Sequence, residues 1–280
     1  MTYRELLRDT SVRLAASETP FLDALLLLAE SLGAPKEKVL AMLPERAEDV
    51  PEAFYRMVER RRRGESVAHI LGRREFYGRE FLVREGVLSP RPDTEILVEA
   101  ALGEGDRLQS DGGSLRVFDL CTGSGAVAIS VAAERPGWTV AASDISPIAL
   151  ELARDNAERL VPDAPIVFVE SDLFARIEGT FDLICSNPPY VPRREASALV
   201  AGGWKDPLLA LDGGEDGMEF IRAIIERCAE FLSTNGVLLL EMDPSQAESA
   251  ALLLQRQDFS GTQTWKDLAG RIRVVGAHHG

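Results

Sequence analysis

The stretch Val117-Phe118-Asp119-Leu120-Cys121-Thr122-Gly123-Ser124-Gly125 decides how this chain folds. An apolar run leads into two glycines and then into a second apolar segment, so the pattern predicts a buried strand, a tight turn and a helix. Gly123 and Gly125 let the backbone come close to a ligand, because glycine has no side chain to collide with it. The three-glycine fingerprint of dinucleotide-binding folds is incomplete here, so the turn does not indicate a pyrophosphate ligand.

From this turn to the C-terminus, predicted strands and helices alternate. The strands are predicted at residues 116–120, 140–144, 166–170, 181–186 and 237–242, and the helices at residues 126–134, 147–160, 217–232 and 245–255. This alternation is the signature of a doubly wound α/β domain with a mostly parallel sheet. Two further strand candidates, 260–265 and 272–275, have no helix between them, so we expect them to pair antiparallel at one edge.

Upstream of this domain, the first 63 or so residues carry apolar side chains at helical spacing and predict an all-helical segment. Its last helix closes with Arg60-Arg61-Arg62-Arg63-Gly64. Cations suit a helix C-terminus, and glycine suits the cap that follows. A contact with nucleic acid is the alternative interpretation of the four arginines.

The segment between the two parts alternates aromatic and charged residues around glycines and predicts a hairpin-like linker. We therefore divide the chain into a helical domain at 1–68, the linker at 69–88 and an α/β domain at 89–280. Residues 89–95 open a helix predicted at 96–102. The glycine-rich, polar segment 103–114 predicts a loop.

Bulk composition excludes several classes of protein. The chain has 280 residues, 45% of them hydrophobic, which is ordinary for a globular protein of roughly two domains. No apolar run reaches the about 18 residues of a membrane span, and the polar N-terminus is unlike a secretory signal. Three widely spaced cysteines fit neither a disulfide framework nor a metal site. We expect a cytoplasmic, metal-free protein, and the net charge of −14 argues against large-scale capture of DNA or RNA.

Polar side chains end the next three predicted strands of the sheet. These are Asp144, Asp172 and Asn187. Ligands of open α/β sheets bind at the carboxyl ends of the strands. An acid at the position of Asp144 can hold ribose hydroxyls, and Asp172 can meet an adenine amino group. Each acid alone also fits a helix cap or a turn. Together they suggest an adenosine-containing ligand without a phosphate requirement, such as S-adenosylmethionine.

The fourth strand runs into Ser186-Asn187-Pro188-Pro189-Tyr190. Prolines lack an N–H and end the strand, so this corner is rich in carbonyl acceptors and poor in donors. It suits a substrate group that brings donors, such as an NH2, and Tyr190 offers a flat face to a planar group. A rigid strand-ending turn is the alternative.

These motifs together resemble the class I, Rossmann-like methyltransferases, and more narrowly the release-factor glutamine N5-methyltransferases, the PrmC/HemK family. The matching residues are Ile70-Leu71-Gly72, Glu75-Phe76-Tyr77-Gly78, Pro90-Arg91-Pro92 with Thr94-Glu95, Asp119-Leu120 with Thr122-Gly123-Ser124-Gly125, Asn187-Pro188-Pro189-Tyr190, and Leu240-Glu241 with Gln246. They span about residues 66 to 276, while the helical part matches only in length and position. The resemblance implies that these helices dock the protein substrate, and a stabilising extension of the fold is the alternative.

The resemblance implies a seven-stranded, mostly parallel sheet whose last strands are antiparallel, and S-adenosylmethionine as the cofactor. The implied cofactor-binding residues are Cys121, Thr122, Gly123, Ser124, Gly125, Asp144, Asp172, Leu173 and Asn187. The implied catalytic residues are Asn187, Pro188, Pro189 and Tyr190. No metal is implied.

The implied reaction methylates the side-chain amide of the glutamine in the Gly-Gly-Gln loop of class I peptide-chain release factors, which modulates translation termination. The amide NH2 donates to the Asn187 side chain and the Pro188 carbonyl, and Tyr190 packs on the amide plane. Acceptors aimed at its protons increase the electron density of the weakly nucleophilic nitrogen.

Several residues have less certain roles under this resemblance. Cys121 and Asp243 stand where the family usually has glycine. Arg91, Thr94 and Glu95 are expected to border the cofactor, with helix capping as the alternative. Glu241 and Gln246 are expected to hold the fifth strand against its helix, and Asn156, within a helix, has no assigned chemistry.

Two rival functions remain open at this stage. An amino-methyltransferase acting on adenine or guanine of DNA or rRNA shares the Asn-Pro-Pro-Tyr element and predicts a basic groove, which the acidic composition disfavours. A cofactor-binding scaffold without activity is disfavoured by the intact acceptor motif.

Overall fold

The computed structural model describes residues 1–109, 113–202 and 204–280. The chain divides into two compact units, one comprising Met1–Arg73 and Leu199–Lys205, the other Arg74–Ala198 and Asp206–Gly280. The domain boundaries at residues 68 and 88 stay a prediction.

The first unit is helical, as its apolar periodicity predicts. Its helices are α1 (Tyr3–Arg13), α2 (Pro20–Ser31), α3 (Lys36–Ala41), α4 (Glu52–Arg62) and α5 (Val67–Leu71). Thr2 and Glu5 form a capping box that satisfies free N–H groups at the start of α1. Leu7, Leu28 and Phe54 are fully buried at the centre of the unit, so the apolar stripes of these helices form a core of their own.

The arginine run 60–63 at the end of α4 is held by carboxylates. Arg61 pairs with Asp23 at 2.6 Å, where both side chains are largely buried. The partners of the other three arginines are Glu65 and Glu59. Gly64 follows with a φ of +95°, so the predicted helix end with its glycine cap is confirmed.

Strands β1 (Arg73–Phe76) and β2 (Arg79–Leu82) form the predicted hairpin, and the second unit begins within β1, at Arg74. Helix α6 (Glu95–Leu108) follows and runs six residues beyond the predicted end, so the loop prediction is wrong for 103–108. The reason is packing. A Cβ on Gly105 would lie 2.1 Å from the Trp138 ring, so the glycine serves close contact rather than a turn. Residues 110–112 of that loop lie outside the described residues.

The rest of the chain alternates as predicted. Its elements are β3 (Arg116–Leu120), α7 (Ala126–Glu134), β4 (Thr139–Asp144), α8 (Pro147–Leu160), β5 (Ile166–Glu170), β6 (Phe181–Ser186), α9 (Arg193–Ala201), α10 (Glu219–Arg227), β7 (Leu232–Glu241), α11 (Ala247–Arg256), β8 (Phe259–Lys266) and β9 (Ile272–His279). The sequence pattern does not predict α9, because among its residues only Ala196 is buried. It overextends α10, whose last predicted turn is a 3-10 helix, and it starts β7 five residues late.

In the described chain, seven strands form one sheet in the order β5-β4-β3-β6-β7-β9-β8. Strands β3 to β7 pair in parallel, and β9 pairs antiparallel with both β7 and β8. The predicted sheet and its antiparallel edge are therefore confirmed. The strand order reverses between β3 and β6, and such a switch point opens a crevice at the carboxyl ends of the two strands.

The sheet is buried on both faces, which explains its nearly continuous apolar strands. Val117 of β3 packs in one core with Leu97 and Ile129, while its neighbour Phe118 packs in the other with Ile184. In the described part of the chain, no helix has the length and apolar character needed to cross a membrane.

Candidate functional site

The glycine turn after β3 is held by a buried carboxylate. Asp119 Oδ2 accepts a hydrogen bond from the Thr122 hydroxyl at 2.6 Å and another from the Ala128 N–H at 3.1 Å. The Asp119 side chain is 1% exposed, and this burial raises its pKa to about 7 despite both bonds. Asp119 therefore ties the end of β3 to the start of α7 and shapes the turn between them.

Cys121 opens this turn in the left-handed region, with a φ of +63°. Glycine adopts that conformation freely, whereas a side chain makes it costly. This explains why glycine is usual at the position in the family that the chain resembles. The thiol is half-buried, and burial among carboxylates raises its pKa well above the usual range, so it stays neutral.

Asp144, at the end of β4, faces the same turn. Its Oδ2 accepts from the Gly123 N–H at 2.8 Å, and its Oδ1 accepts from the Ser146 N–H at 2.9 Å. Burial raises the pKa of the carboxyl, although these backbone donors lower it. Each oxygen has lone-pair capacity left over, so the fixed carboxyl can also accept from two hydroxyl groups.

The segment after β5 carries Asp172 and Leu173. Asp172 is exposed, and Leu173 has a φ of +44°. The Ser171 hydroxyl fixes this bend, since it donates to the Leu173 carbonyl at 2.7 Å and accepts from the Arg176 N–H at 3.0 Å. The bend leaves the Asp172 carboxylate free to meet a donor at the sheet edge.

These segments surround a cavity with about 770 Å³ of empty space, including its open mouth. Of the predicted site residues, the cavity brings together Cys121, Gly123, Asp144, Asp172, Leu173, Asn187 and Pro189. Thr122, Ser124, Gly125, Pro188 and Tyr190 are not among the residues that line it.

The corner after β6 has its side chains fixed from behind. Asn187 donates through Nδ2 to Thr94 Oγ1 at 3.0 Å, and the Tyr190 hydroxyl donates to Glu241 Oε1 at 3.3 Å. Because the Asn187 NH2 is engaged with Thr94, its oxygen is the part left for a ligand.

The backbone of this corner is held by Gln246. Its Nε2 donates to the Tyr190 carbonyl at 2.9 Å and to the Gly217 carbonyl at 3.1 Å. Gly213 lies directly behind, where a Cβ would be 2.7 Å from the Tyr190 Cα. Gln246 thus holds the acceptor corner itself as well as the turn after β7.

Three residues near the start of α6 lie close to the site without lining the cavity. Thr94 contacts Asn187 as described, whereas Glu95 Oε1 accepts from the Tyr77 N–H at 2.9 Å. Arg91 pairs with the buried Asp206, which also accepts from the Ser89 N–H at 3.1 Å. The contacts of Arg91 and Glu95 hold protein segments together.

Sequence reasoning misses two supporting residues. Asn156 is fully buried and bonds to both backbone groups of Leu82 and to the Ser124 carbonyl, at 3.0 Å, so it joins α8, the hairpin and the glycine turn. Asp206 fixes the segment whose Pro207 and Leu209 line the cavity. The sequence signal for Asn156 is a polar residue inside the apolar stripe of a helix. The signal for Asp206 is an acid directly before a proline.

Residues 1–109, 113–202 and 204–280 contain no group of three or more His, Cys, Asp or Glu side chains that could hold a metal ion. The donors around the cavity are carboxylates, backbone groups and amides, which suit hydroxyl and amino groups of an organic ligand.

Comparisons with known proteins agree with this geometry. A family model described as the methyltransferase small domain matches residues 96–202, and one described as the PrmC N-terminal domain matches residues 5–72. A relative in Neisseria gonorrhoeae named release factor glutamine methyltransferase is 42% identical over 234 residues, 82% of this chain and 83% of the relative. One of the same name in Moorella thermoacetica is 36% identical over 285 residues, 99% of each chain.

Among solved structures, a methyltransferase from Pyrococcus furiosus superposes with a TM-score of 0.52 at 20% identity. The match covers 71% of this chain and 87% of that one, and it supports the class I methyltransferase fold.

Proposed function

Because the chain belongs to the release factor glutamine methyltransferase family, we propose that it methylates the glutamine side-chain nitrogen, N5, in the Gly-Gly-Gln motif of class I peptide-chain release factors. It is an S-adenosylmethionine-dependent methyltransferase. The protein substrate is the release factor, its methylation modulates termination of translation, and the reaction takes place in the cytoplasm.

The cavity residues fit the cofactor by their donor and acceptor groups. Asp144 would accept from the ribose hydroxyls and Asp172 from the adenine amino group. Leu173 would cover the base, and Cys121 and Gly123 would contact the amino-acid part of the cofactor. Thr122, Ser124 and Gly125 keep the turn open for it. When bound, the sulfonium cofactor supplies an electrophilic methyl group.

The acceptor corner orients the substrate amide. The observation that supports this most strongly is the Asn187 NH2 engaged with Thr94, since it leaves Oδ1 to accept from the substrate NH2. The Pro188 carbonyl accepts the second hydrogen, Pro189 keeps the corner rigid, and Tyr190 packs on the amide plane. Acceptors aimed at these hydrogens stabilise the positive charge that develops on nitrogen, and the proton can leave afterwards without a strong base.

The test is transfer of a labelled methyl group to purified release factor, with peptide mapping of the product. Asn187→Ala should remove about 2–4 kcal/mol of transition-state stabilisation and lower kcat accordingly. The affinity for S-adenosylhomocysteine should stay the same. Near-normal turnover in this variant would contradict the role of Asn187.

The same assay with DNA and rRNA tests the rival function. Transfer to nucleic acid that weakens steeply with salt would support it. We expect none, because the chain carries a net charge of −14.

A further inference from the structure

Two segments that are far apart in the chain line the cavity on either side of one hydrogen bond. Residues 86–88 lie in the loop after β2, and three of the residues 207–210 line the cavity between α9 and α10. Ser89 directly follows the first segment, and Asp206 directly precedes the second. The Ser89 N–H donates to Asp206 Oδ1 at 3.1 Å, so this bond joins the two lining segments at their ends.

The Asp206 carboxylate is well suited to hold this junction. Its side chain is 2% exposed and also pairs with the Arg91 guanidinium, so a charged donor and a backbone donor meet the same carboxylate. Ser89 is buried as well. A buried charge is stable only when it is paired and its lone pairs are engaged. The carboxylate and its donors therefore fix the start of the second segment.

The far end of the second segment is fixed to the acceptor corner. The Val191 N–H donates to the Leu211 carbonyl at 2.9 Å, and the Gly213 N–H donates to the Val191 carbonyl at 2.8 Å. Val191 directly follows Tyr190 in the chain. We call residues 206–213 the strap, because this segment is fastened at both ends and lines the cavity between them.

The strap carries two neighbouring leucines that differ in their relation to the cavity. Leu209 lines the cavity, although 55% of its surface is exposed. Leu208 is 41% exposed and is not among the lining residues. Covering an exposed apolar side chain is favourable, so a ligand in the cavity gains affinity from contact with Leu209.

We propose that Leu209 is a cofactor-binding residue, and that Asp206 is a positioning residue which acts through the strap to hold Leu209 at the cavity. This inference rests on the cofactor assignment within the proposed function. A side chain that is already held in place loses little conformational freedom when the ligand arrives. The contacts of Asp206 with Ser89 and Arg91 therefore increase the affinity for S-adenosylmethionine without touching it.

The two leucines provide a matched pair for the first test. The measurement is the dissociation constant of S-adenosylhomocysteine, determined by isothermal titration calorimetry. Leu209→Ala should raise this constant by about 3- to 10-fold, since it removes apolar cover from the ligand, whereas Leu208→Ala should stay within about twofold of wild type. Equal dissociation constants for the two variants would overturn the role of Leu209.

Asp206→Ala tests the positioning role. It should raise the dissociation constant by about 10- to 30-fold, because the released strap no longer presents its lining side chains in one arrangement. Asp106→Ala is the matched control and should bind as wild type does, since Asp106 also pairs with an arginine, Arg135 at 2.6 Å, but does not line the cavity.

The double variant Asp206→Ala/Leu209→Ala shows whether one residue acts through the other. Its dissociation constant should lie within about threefold of that of Asp206→Ala alone, because the released strap has already lost the Leu209 contact. If the two single effects multiply instead, Asp206 does not act through Leu209 and the proposal is wrong.

Urea denaturation of the same variants separates positioning from a structural role. A purely structural Asp206 would lower the free energy of unfolding and leave the affinity of the folded protein unchanged, which contradicts the proposal. Should Asp206→Ala fail to fold, Asp206→Asn takes its place, because the amide fills the same space but loses the charge that holds Arg91. An unchanged dissociation constant in Asp206→Asn would then refute the positioning role.

These binding measurements need no release factor. A wild-type protein that binds S-adenosylhomocysteine but transfers no methyl group to release factor would contradict the proposed substrate and leave the roles of Asp206 and Leu209 to be decided by the variants.

Discussion

Cys121 shows what a side chain costs at a position suited to glycine. Its φ of +63° places a Cβ where L-residues are strained. We predict that Cys121→Gly is more stable than Cys121→Ala by about 1 kcal/mol, since both lack the thiol and only alanine keeps the strained Cβ. Urea denaturation of the two variants measures the difference. An alanine variant as stable as the glycine one would show that the turn relaxes to accept a Cβ.

The positions of single site residues could be predicted where the adjacent sequence pattern defines the strand that they end. Asp144 and Asn187 follow apolar strands, so their place at the sheet edge can be derived from local pattern. Asn156 and Asp206 bond to segments 32 to 117 positions away in sequence. No local pattern contains such partners, and a buried polar residue becomes interpretable only when the groups it satisfies are known.

At the scale of an element, helix α6 offers two glycines with opposite expected effects. Gly103 is exposed, and a methyl group added there would meet nothing within 4 Å, so Gly103→Ala should raise the free energy of unfolding by about 1 kcal/mol through helix propensity. Gly105→Ala should lower it by about 1–3 kcal/mol, because the new methyl group collides with Trp138. Denaturation midpoints measure both changes, and a loss of stability in both variants would contradict the helical assignment of Gly103.

The junction of β3 and α7 should make stability depend on pH through Asp119. Its pKa rises from an ordinary 3.8 to about 7 in the fold, so above pH 4 the folded state holds a proton that the unfolded state has lost. The contribution of the Asp119 carboxyl to the free energy of unfolding is fully present below pH 4 and is lost as the pH rises to 7. Asp119→Asn removes the effect, so its stability relative to wild type should increase by about 1.4 kcal/mol per pH unit between pH 5 and 7.

Urea denaturation at pH 5, 6, 7 and 8 measures that difference. It should level off above pH 7, where both states of the wild type have lost the proton. Parallel pH profiles for the two proteins would mean that Asp119 is already ionised in the fold near pH 5.

Elements with a strong apolar period are the ones the sequence predicts accurately. The bounds of β3, α7, α8, β5 and β6 agree with prediction to the residue. The errors fall where tertiary contacts decide, since α6 continues through Gly105, which packs on Trp138, and α9 buries a single alanine.

For the whole molecule, the cofactor should protect only part of the chain from hydrogen exchange. The cavity is lined by the ends of β3, β4, β5 and β6, all in the second unit. We predict that S-adenosylhomocysteine slows exchange in residues 120–125, 144–149 and 171–173 and leaves α1 to α4 unchanged, because binding stabilises the amides it orders. Mass spectrometry of peptic fragments with and without the compound measures this. Equal protection in α1 to α4 would contradict it.

The mostly parallel sheet with an antiparallel edge follows from the order of helices and strands alone, because crossover rules leave few arrangements open. The acceptor corner was also predictable from its prolines. Its bracing was not, since Thr94 lies 93 positions from Asn187 in sequence, and Glu241 and Gln246 lie 51 and 56 positions from Tyr190.

The two prolines of that corner also decide what happens to a damaged substrate. Deamidation turns glutamine into glutamate, an anion that brings no hydrogens to share. With Pro188 and Pro189 lacking N–H groups and the Asn187 NH2 turned to Thr94, the glutamate of an aged release factor would bring no hydrogens to the acceptor oxygens of this corner. The enzyme would therefore not methylate such a factor, and a methylated factor would be one whose glutamine has not been deamidated.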